Sequence, residues 1–330
     1  MKNNYIIGIN FLHSDTSACI FKNGELLAAV EEERFTRQKH TSLFPYKSIK
    51  FCLNVAKIDF SEVSRITINT NPLSSIKKKI LFVIMNPRRL SLAYNSLKNI
   101  KKKISLKNLI KKVDNIDLFK GPIEYIDHHE SHIASSLYFS NFDETVNLSI
   151  DGFGDFVSCA WGKFKNGNND IDKKIYFPHS LGIFYQSITQ YLGFKNYGEE
   201  YKVMGLSSYG KPNFINQISK LIYDTEDGFK LNLDYFIHHN EKIIFSNENG
   251  KINYKNLYSK KIYDLLGDER RVEEPITQRH MDIAKSVQTV YENILFSLLN
   301  KLYQKYKIKN LTLSGGCAMN SVANGKIIEN

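Results

Sequence analysis

The sequence predicts an α/β protein built as two lobes. Three observations carry that expectation. Short apolar runs bounded by turn signals alternate with segments of helical apolar periodicity. Two polar turns between strands, His13-Ser14-Asp15-Thr16 and Asp151-Gly152-Phe153-Gly154-Asp155, echo one another in the two halves. A chain of 330 residues at 42% hydrophobic composition can bury one large core or two moderate ones.

Taken in order, Tyr5 to Asn10 reads as a strand and Ser17 to Phe21 as a second, and Asn23-Gly24 marks a type I′ hairpin into Glu25 to Val30. The result is a three-stranded meander. Its first turn offers the hydroxyls and backbone N–H groups of Ser14, Asp15 and Thr16, a composition that can cradle a phosphate. The charged run Glu31 to His40 reads as a solvated loop or as a segment presenting Arg34, Lys39 and His40 to an anionic ligand. Pro45 opens a helix to about Ala56, with Ile49, Cys52, Leu53 and Ala56 at helical spacing, and Val63 to Asn69 is a further strand. The first lobe is expected over residues 1–145, interrupted by a basic helical insertion over 71–121 that carries no motif. Residues 146–330 form the second lobe.

Ile123 to Asp127 resumes the core as a strand feeding the stretch His128-His129-Glu130-Ser131-His132. On a helix, residues four apart share a face, so His128 and His132 can hold one metal ion. Asp151, at a strand's carboxyl end, can supply an oxygen to the same ion. A metalloprotease helix is excluded, because its catalytic Glu directly follows the first ligating His and here His129 stands in that place. His129 is expected to pack or to donate a hydrogen bond.

Beyond Asp151 a strand over Phe156 to Phe164 turns back at Lys165 to Asn169, and Ser180 to Gly193 reads as a helix closed by its glycine. The turn at Gly152 and Gly154, set against the Ser14 to Thr16 turn, is the paired arrangement by which actin-like and sugar-kinase-like folds hold nucleotide phosphates. Asn196 to Pro212, with Glu199, Lys202 and Gly205 among aromatics, reads as a decorated binding loop. Residues 213–275 suggest a small helical and β excursion. A long helix over Ile276 to Tyr306 carries Ile283, Val287, Val290, Ile294, Leu298 and Leu302 on one face and leads to the strand Leu311 to Ser314. Gly315-Gly316 after that strand lets backbone approach a ligand closely.

The formal charge of +11 raises nucleic acid as a partner, yet much of the excess sits in the basic insertion of an Asn-, Ile- and Lys-rich chain, which disfavours that reading. Four scattered cysteines without a CxxC pair read as reduced thiols of a cytoplasmic protein. The longest apolar patch, Ile80 to Met85, is too short to span a bilayer, so no membrane is expected.

Six ordered segments together resemble the O-carbamoyltransferases of antibiotic and nodulation-factor biosynthesis: His13 to Thr16, Glu31 to His40, Asp127 to His132, Asp151 to Asp155, Lys202-Val203-Met204-Gly205-Leu206 and Ser314 to Asn320. The resemblance implies an actin-like (ribonuclease H-like) ATPase or sugar-kinase fold of two lobes. It implies transfer of a carbamoyl group from carbamoyl-adenylate, made from carbamoyl phosphate and ATP, to a hydroxyl of a small molecule or glycan. His128, His132 and Asp151 would bind Fe²⁺ or another divalent metal, His13 would be acid or base near the acceptor hydroxyl, and Lys39 would steady a phosphate or carbamoyl oxygen. Gly315, Gly316 and Asn320 would line the adenosine pocket. Family members continue past the Gly-Gly turn, so the second lobe is expected to be incomplete at its carboxyl end, with the adenylate-forming domain absent or supplied by a complementary chain. A tRNA threonylcarbamoyl transferase-like protein and a catalytically silent metal- and nucleotide-binding fragment are the alternatives.

Overall fold

A computed structural model describes residues 3–11, 13–85, 113, 116–241, 244–246, 249–250 and 252–329. The expectation for the central part of the basic insertion, residues 86–112, falls outside the described residues; its start forms a helix over Ile76–Met85. Two units are distinguished, Met1–His128 with Ile244–Asn253, and His129–Ile243 with Tyr254–Asn330.

The first unit is organised on a five-stranded sheet of β1 (Tyr5–Asn10), β2 (Ser17–Lys22), β3 (Glu25–Glu31), β4 (Val63–Ile68) and β5 (Ile123–Tyr125), in the order β3-β2-β1-β4-β5. The meander β1 to β3 is antiparallel, and β4 and β5 add in parallel. Alternation along β1 sends Tyr5, Ile7 and Ile9 inward. Asn23 and Gly24 both have positive φ, 52° and 91°, as a type I′ turn requires. Helix α1 (Tyr46–Ala56) packs with Ser48, Ile49, Cys52 and Leu53 buried. Its amino end is satisfied by a buried carboxylate: Glu32 accepts from Ser48 N–H at 2.8 Å, Ser48 Oγ–H at 2.7 Å and Lys47 N–H at 3.2 Å.

The second unit holds a four-stranded sheet of β6 (Glu144–Gly154), β7 (Val157–Lys165), β8 (Asn168–Tyr176) and β9 (Leu311–Ser314), in the order β9-β6-β7-β8. Again an antiparallel meander is extended by a parallel strand beside its first member. The second sheet therefore repeats the order of the first sheet's meander and first parallel strand, the repeat that marks the actin-like fold class. β6 is buried from Thr145 to Ile150, the pattern of a central strand covered on both faces. α3 (Leu181–Tyr191) and α5 (Gln278–Tyr306) lie against this sheet, α4 (Glu200–Leu206) packs on those two helices, and α2 (His128–Leu137) is tied to the sheet through His129. The face expected of α5 is the buried one, with Ile283, Val287, Val290, Ile294, Leu298 and Leu302 all in the core.

Two expectations are corrected. β6 does not end at Asp151 but runs to Gly154, its register slipping between Ile150 and Gly154, and the hairpin closes at Asp155-Phe156 with φ of 51° and 74°. The segment 196–212 is not an extended loop: it folds into α4 and a 3₁₀ turn at Ser207–Tyr209. All four cysteines are free thiols. Among the described residues no helix is long and apolar enough to cross a membrane.

Candidate metal centre

β5 delivers the chain to α2 through Ile126 and Asp127, whose carboxylate accepts from Ser74 Oγ–H at 2.7 Å. α2 then carries His128 and His132 one helical turn apart. Their ligand atoms and a carboxylate oxygen of Asp151 lie within 4.8 Å of one another, and His132 Nε2 is 3.3 Å from Asp151 Oδ2. His128 is buried, while His132 and Asp151 are part-exposed. His129 points elsewhere. It is fully buried, its Nε2–H donates to Val157 O at 3.1 Å, and Nδ1 accepts from Ser149 Oγ–H at 2.8 Å, which ties α2 to β6 and β7.

Asp151 is aimed by its neighbours. β9 pairs with β6 so that Ser314 lies opposite Ser149, which brings Gly315-Gly316 beside Ile150-Asp151. Gly316 N–H donates to Asp151 Oδ1 at 3.1 Å, leaving Oδ2 toward His132. A Cβ on Gly315, at φ 92°, is excluded by backbone, since it would lie 2.3 Å from Ile150 O, while one on Gly316 would lie 2.8 Å from Asp151 Oδ1 and displace that carboxylate. Ser180 holds the other flank. Its Oγ–H donates to Gly152 O at 2.8 Å while the same oxygen accepts Ile183 N–H at 3.1 Å as the cap of α3.

In the first unit, the His13 ring lies 4.9 Å from that of His128, tilted by 46°. Ser14 and Thr16 are buried, and Asp15 is half-exposed with its carboxylate on His40 Nδ1 at 2.8 Å. Lys39 is exposed on the neighbouring loop. Gly154 pairs with Val157 at the end of the β6–β7 hairpin.

Asn320 is engaged within the fold. Its amide exchanges bonds with Gln288 at 2.9 and 3.0 Å and caps the turn Ser321–Asn324 by accepting Ala323 N–H. Glu199 stands at the start of α4 and takes Lys202 Nζ at 2.6 Å. Burial opposes its ionisation, but the bonds from Lys202 and Asn196 prevail and hold its carboxyl below the usual range. A Cβ at Gly205 would meet open space. The structure thus gathers His128, His132, Asp151 and Gly316, sets His13 on His128, and fixes Glu199, Lys202 and Asn320 through local bonds.

Other groups near Asp151 escaped the sequence reading. Burial first, then the charge of Asp151, raises the Cys317 thiol; burial first, then Tyr197, with Glu200 and Asp151 adding less and a Gln186 hydrogen bond opposing, raises the Tyr254 hydroxyl. Tyr254 stacks on Tyr197 with centroids 5.5 Å apart and planes within 7°. These residues come from four separate segments, and no spacing in the sequence joins them.

Residues 5–330 match the family model described as Carbamoyltransferase N-terminus. An uncharacterized protein of Synechocystis is 36% identical over 98% of this chain and 52% of its own length. Nodulation protein NolNO of Sinorhizobium fredii is 30% identical over 96% of this chain and 42% of its own length. The chain thus spans about half the length of these curated relatives. Among solved structures, HypF of T. kodakarensis is 13% identical with a TM-score of 0.43 over 99% of this chain and 44% of that one. At that distance the fold is defined by the strand order above and not by the likeness. On the match across nearly its whole length, the chain belongs to the family of carbamoyltransferase N-terminal domains.

Proposed function

We propose that this chain performs the transfer half of an O-carbamoylation, in which carbamoyl-adenylate, made from carbamoyl phosphate and ATP, gives its carbamoyl group to a hydroxyl of a small molecule or glycan. The observation that carries this reading is the set of two imidazoles and one carboxylate, His128, His132 and Asp151, within 4.8 Å in a member of this family. That donor set suits a divalent ion with open coordination positions, and two histidines with one carboxylate favour Fe²⁺. Such an ion supplies Lewis-acid polarisation of a donor oxygen. The formation of carbamoyl-adenylate is assigned to a separate adenylate-forming domain or chain.

The chain's own residues hold and orient. Gly316 N–H and Ser180 keep Asp151 and the backbone at Gly152 in place. Backbone N–H groups at Ser14 and Asp15 and the Thr16 hydroxyl, with Gly152 and Gly154, are assigned to phosphate, and the Gly315-Gly316 turn with Asn320 to the adenosine. Lys39 steadies a phosphate or carbamoyl oxygen, and His13, against His128, moves a proton beside the transferred group. Glu199, Lys202 and Gly205 are assigned to the acceptor side. We place the reaction in the cytoplasm, where ATP and reduced thiols coexist.

The test is metal content after anaerobic purification, together with transfer from synthetic carbamoyl-adenylate, for wild type, His128→Ala and His132→Ala. Stoichiometric iron in the wild type, lost in both variants together with transfer, is the expected result. A wild type that binds no divalent metal, or transfer indifferent to both substitutions, overturns the reading.

A further inference from the structure

In the first unit a second constellation lies on the turn that carries His13. Asp15 Oδ1 and His40 Nδ1 are 2.8 Å apart although 25 residues separate them in sequence, and a ligand atom of Glu33 lies within 4.8 Å of both. The two turns that carry the pair are fastened by other groups. Asn10 Nδ2 donates to Asp15 O at 2.8 Å, Thr16 N–H donates to Thr41 O at 3.2 Å, Glu32 N–H donates to Thr16 O at 2.8 Å, and His40 N–H donates to Glu33 Oε2 at 3.2 Å. The side-chain pair is therefore not what joins the turns. Asp15 and His40 both hold positive φ, 61° and 55°, a conformation that L-residues with a side chain disfavour.

A carboxylate on Nδ1 fixes an imidazole in the tautomer that carries its proton there and puts the basic lone pair on Nε2. The local charge also selects what can come near. Asp15 and Glu33 place two carboxylates around the ring, with Arg34 at 3.9 Å from Glu33, and they favour a neutral or cationic alcohol at the ring, while the phosphate is left to the backbone of the turn and to Lys39. His13, two residues before Asp15 on the same turn, lies against His128. Asp15 thus shares its turn with His13 and with the backbone assigned to the donor phosphate, while its carboxylate turns to His40.

We propose that His40 is the base that takes the proton of the acceptor hydroxyl, and that Asp15 is the positioning residue that sets its tautomer. The proposal rests on the carbamoyl-transfer reading above. As the alcohol oxygen bonds to the carbamoyl carbon, its proton passes to His40 Nε2. The bond from that carbon to the phosphate oxygen of the mixed anhydride breaks, and AMP leaves with the electron pair. The imidazolium, paired with Asp15, then returns its proton to solvent.

The experiment uses the whole chain, its wild type and the variants His40→Ala and Asp15→Asn, with synthetic carbamoyl-adenylate and two kinds of nucleophile. Hydroxylamine attacks without a base; a panel of glycerol, glucose and glucosamine needs one. Alcohol carbamoylation is expected to fall by about 100-fold or more in His40→Ala while hydroxylamine trapping and iron content stay near wild type. Asp15→Asn should weaken alcohol transfer with the donor KM unchanged, and ¹⁵N spectra of the ring should show the Nδ1–H tautomer of His40 lost in that variant. Equal loss of both nucleophiles, an unchanged alcohol rate, wild-type trapping of hydroxylamine without any alcohol product, or an Nε2–H tautomer in the wild type each overturns the proposal. A wild type that binds neither metal nor carbamoyl-adenylate fails the carbamoyl reading first, and this assignment with it.

Discussion

Asp151 shows how much a single side chain here depends on backbone around it. One oxygen takes Gly316 N–H and the other faces His132, so the carboxylate is oriented before any ligand arrives. A methyl group at position 316 would press on that first oxygen from 2.8 Å. Gly316→Ala is therefore expected to weaken metal binding by about 10- to 100-fold with secondary structure intact, as measured by metal titration and circular dichroism. Unchanged affinity would show that Asp151 is aimed by something else. The residue types and their spacing on α2 were legible in the sequence because helical periodicity is local. The division of labour in Glu31-Glu32-Glu33 was not. Glu31 pairs at the surface with Arg34 at 3.2 Å, Glu32 is buried as the cap of α1, and Glu33 joins Asp15 and His40. Three identical neighbours take three roles because partners far along the chain choose them.

At the scale of elements, the unusual piece is the end of β6. Between Ile150 and Gly154 it slips its register against β7, so Asp151 to Phe153 lie outside the regular ladder of the hairpin. Ser180 serves both α3 and this irregular stretch, accepting Ile183 N–H while donating to Gly152 O. Removing the hydroxyl loses a helix cap and leaves a carbonyl without that donor. Ser180→Ala should cost about 1–2 kcal/mol in urea unfolding and also loosen metal binding. A loss of stability with metal affinity untouched would confine Ser180 to capping. The sequence indicated this helix start because serine before an apolar helical run is a local signal. It misplaced the strand end because Asp151-Gly152 reads as a stop, whereas Gly154 still finds Val157 as a cross-strand partner. The segment 196–212 was misread for a similar reason: its glycines and charges resemble a loop, yet Val203 and Ser207 bury fully as α4 and the following turn pack on α5.

Across the molecule, the fold class was legible because two meanders, each followed by a parallel strand, leave their apolar rhythm in the sequence. What the sequence left open is how buried polar groups respond to pH. Three histidines of the second unit are held below their ordinary pKa. Burial, with Lys230 adding, lowers His179; burial, with Arg279 and Arg270 adding, lowers His280. His238 is pushed down to about 4, chiefly by burial and only partly relieved by its 2.8 Å bond to Pro178 O, amid the rings of Phe153, Phe177 and Phe236. The native state therefore keeps His238 neutral where the unfolded chain, titrating near 6.5, takes up a proton. Stability is unaffected by this group above about pH 6.5, falls as the pH drops from there to about 4, and is flat below, with a loss of about 3 kcal/mol across the window. Trp161, the single tryptophan, is buried in the second unit and reports its unfolding. Its fluorescence in urea should show midpoints falling between pH 6.5 and 4, and His238→Gln, which can still donate to Pro178 O but does not titrate, should flatten that slope. An equal slope in the variant would assign the acid sensitivity to His179 and His280 instead.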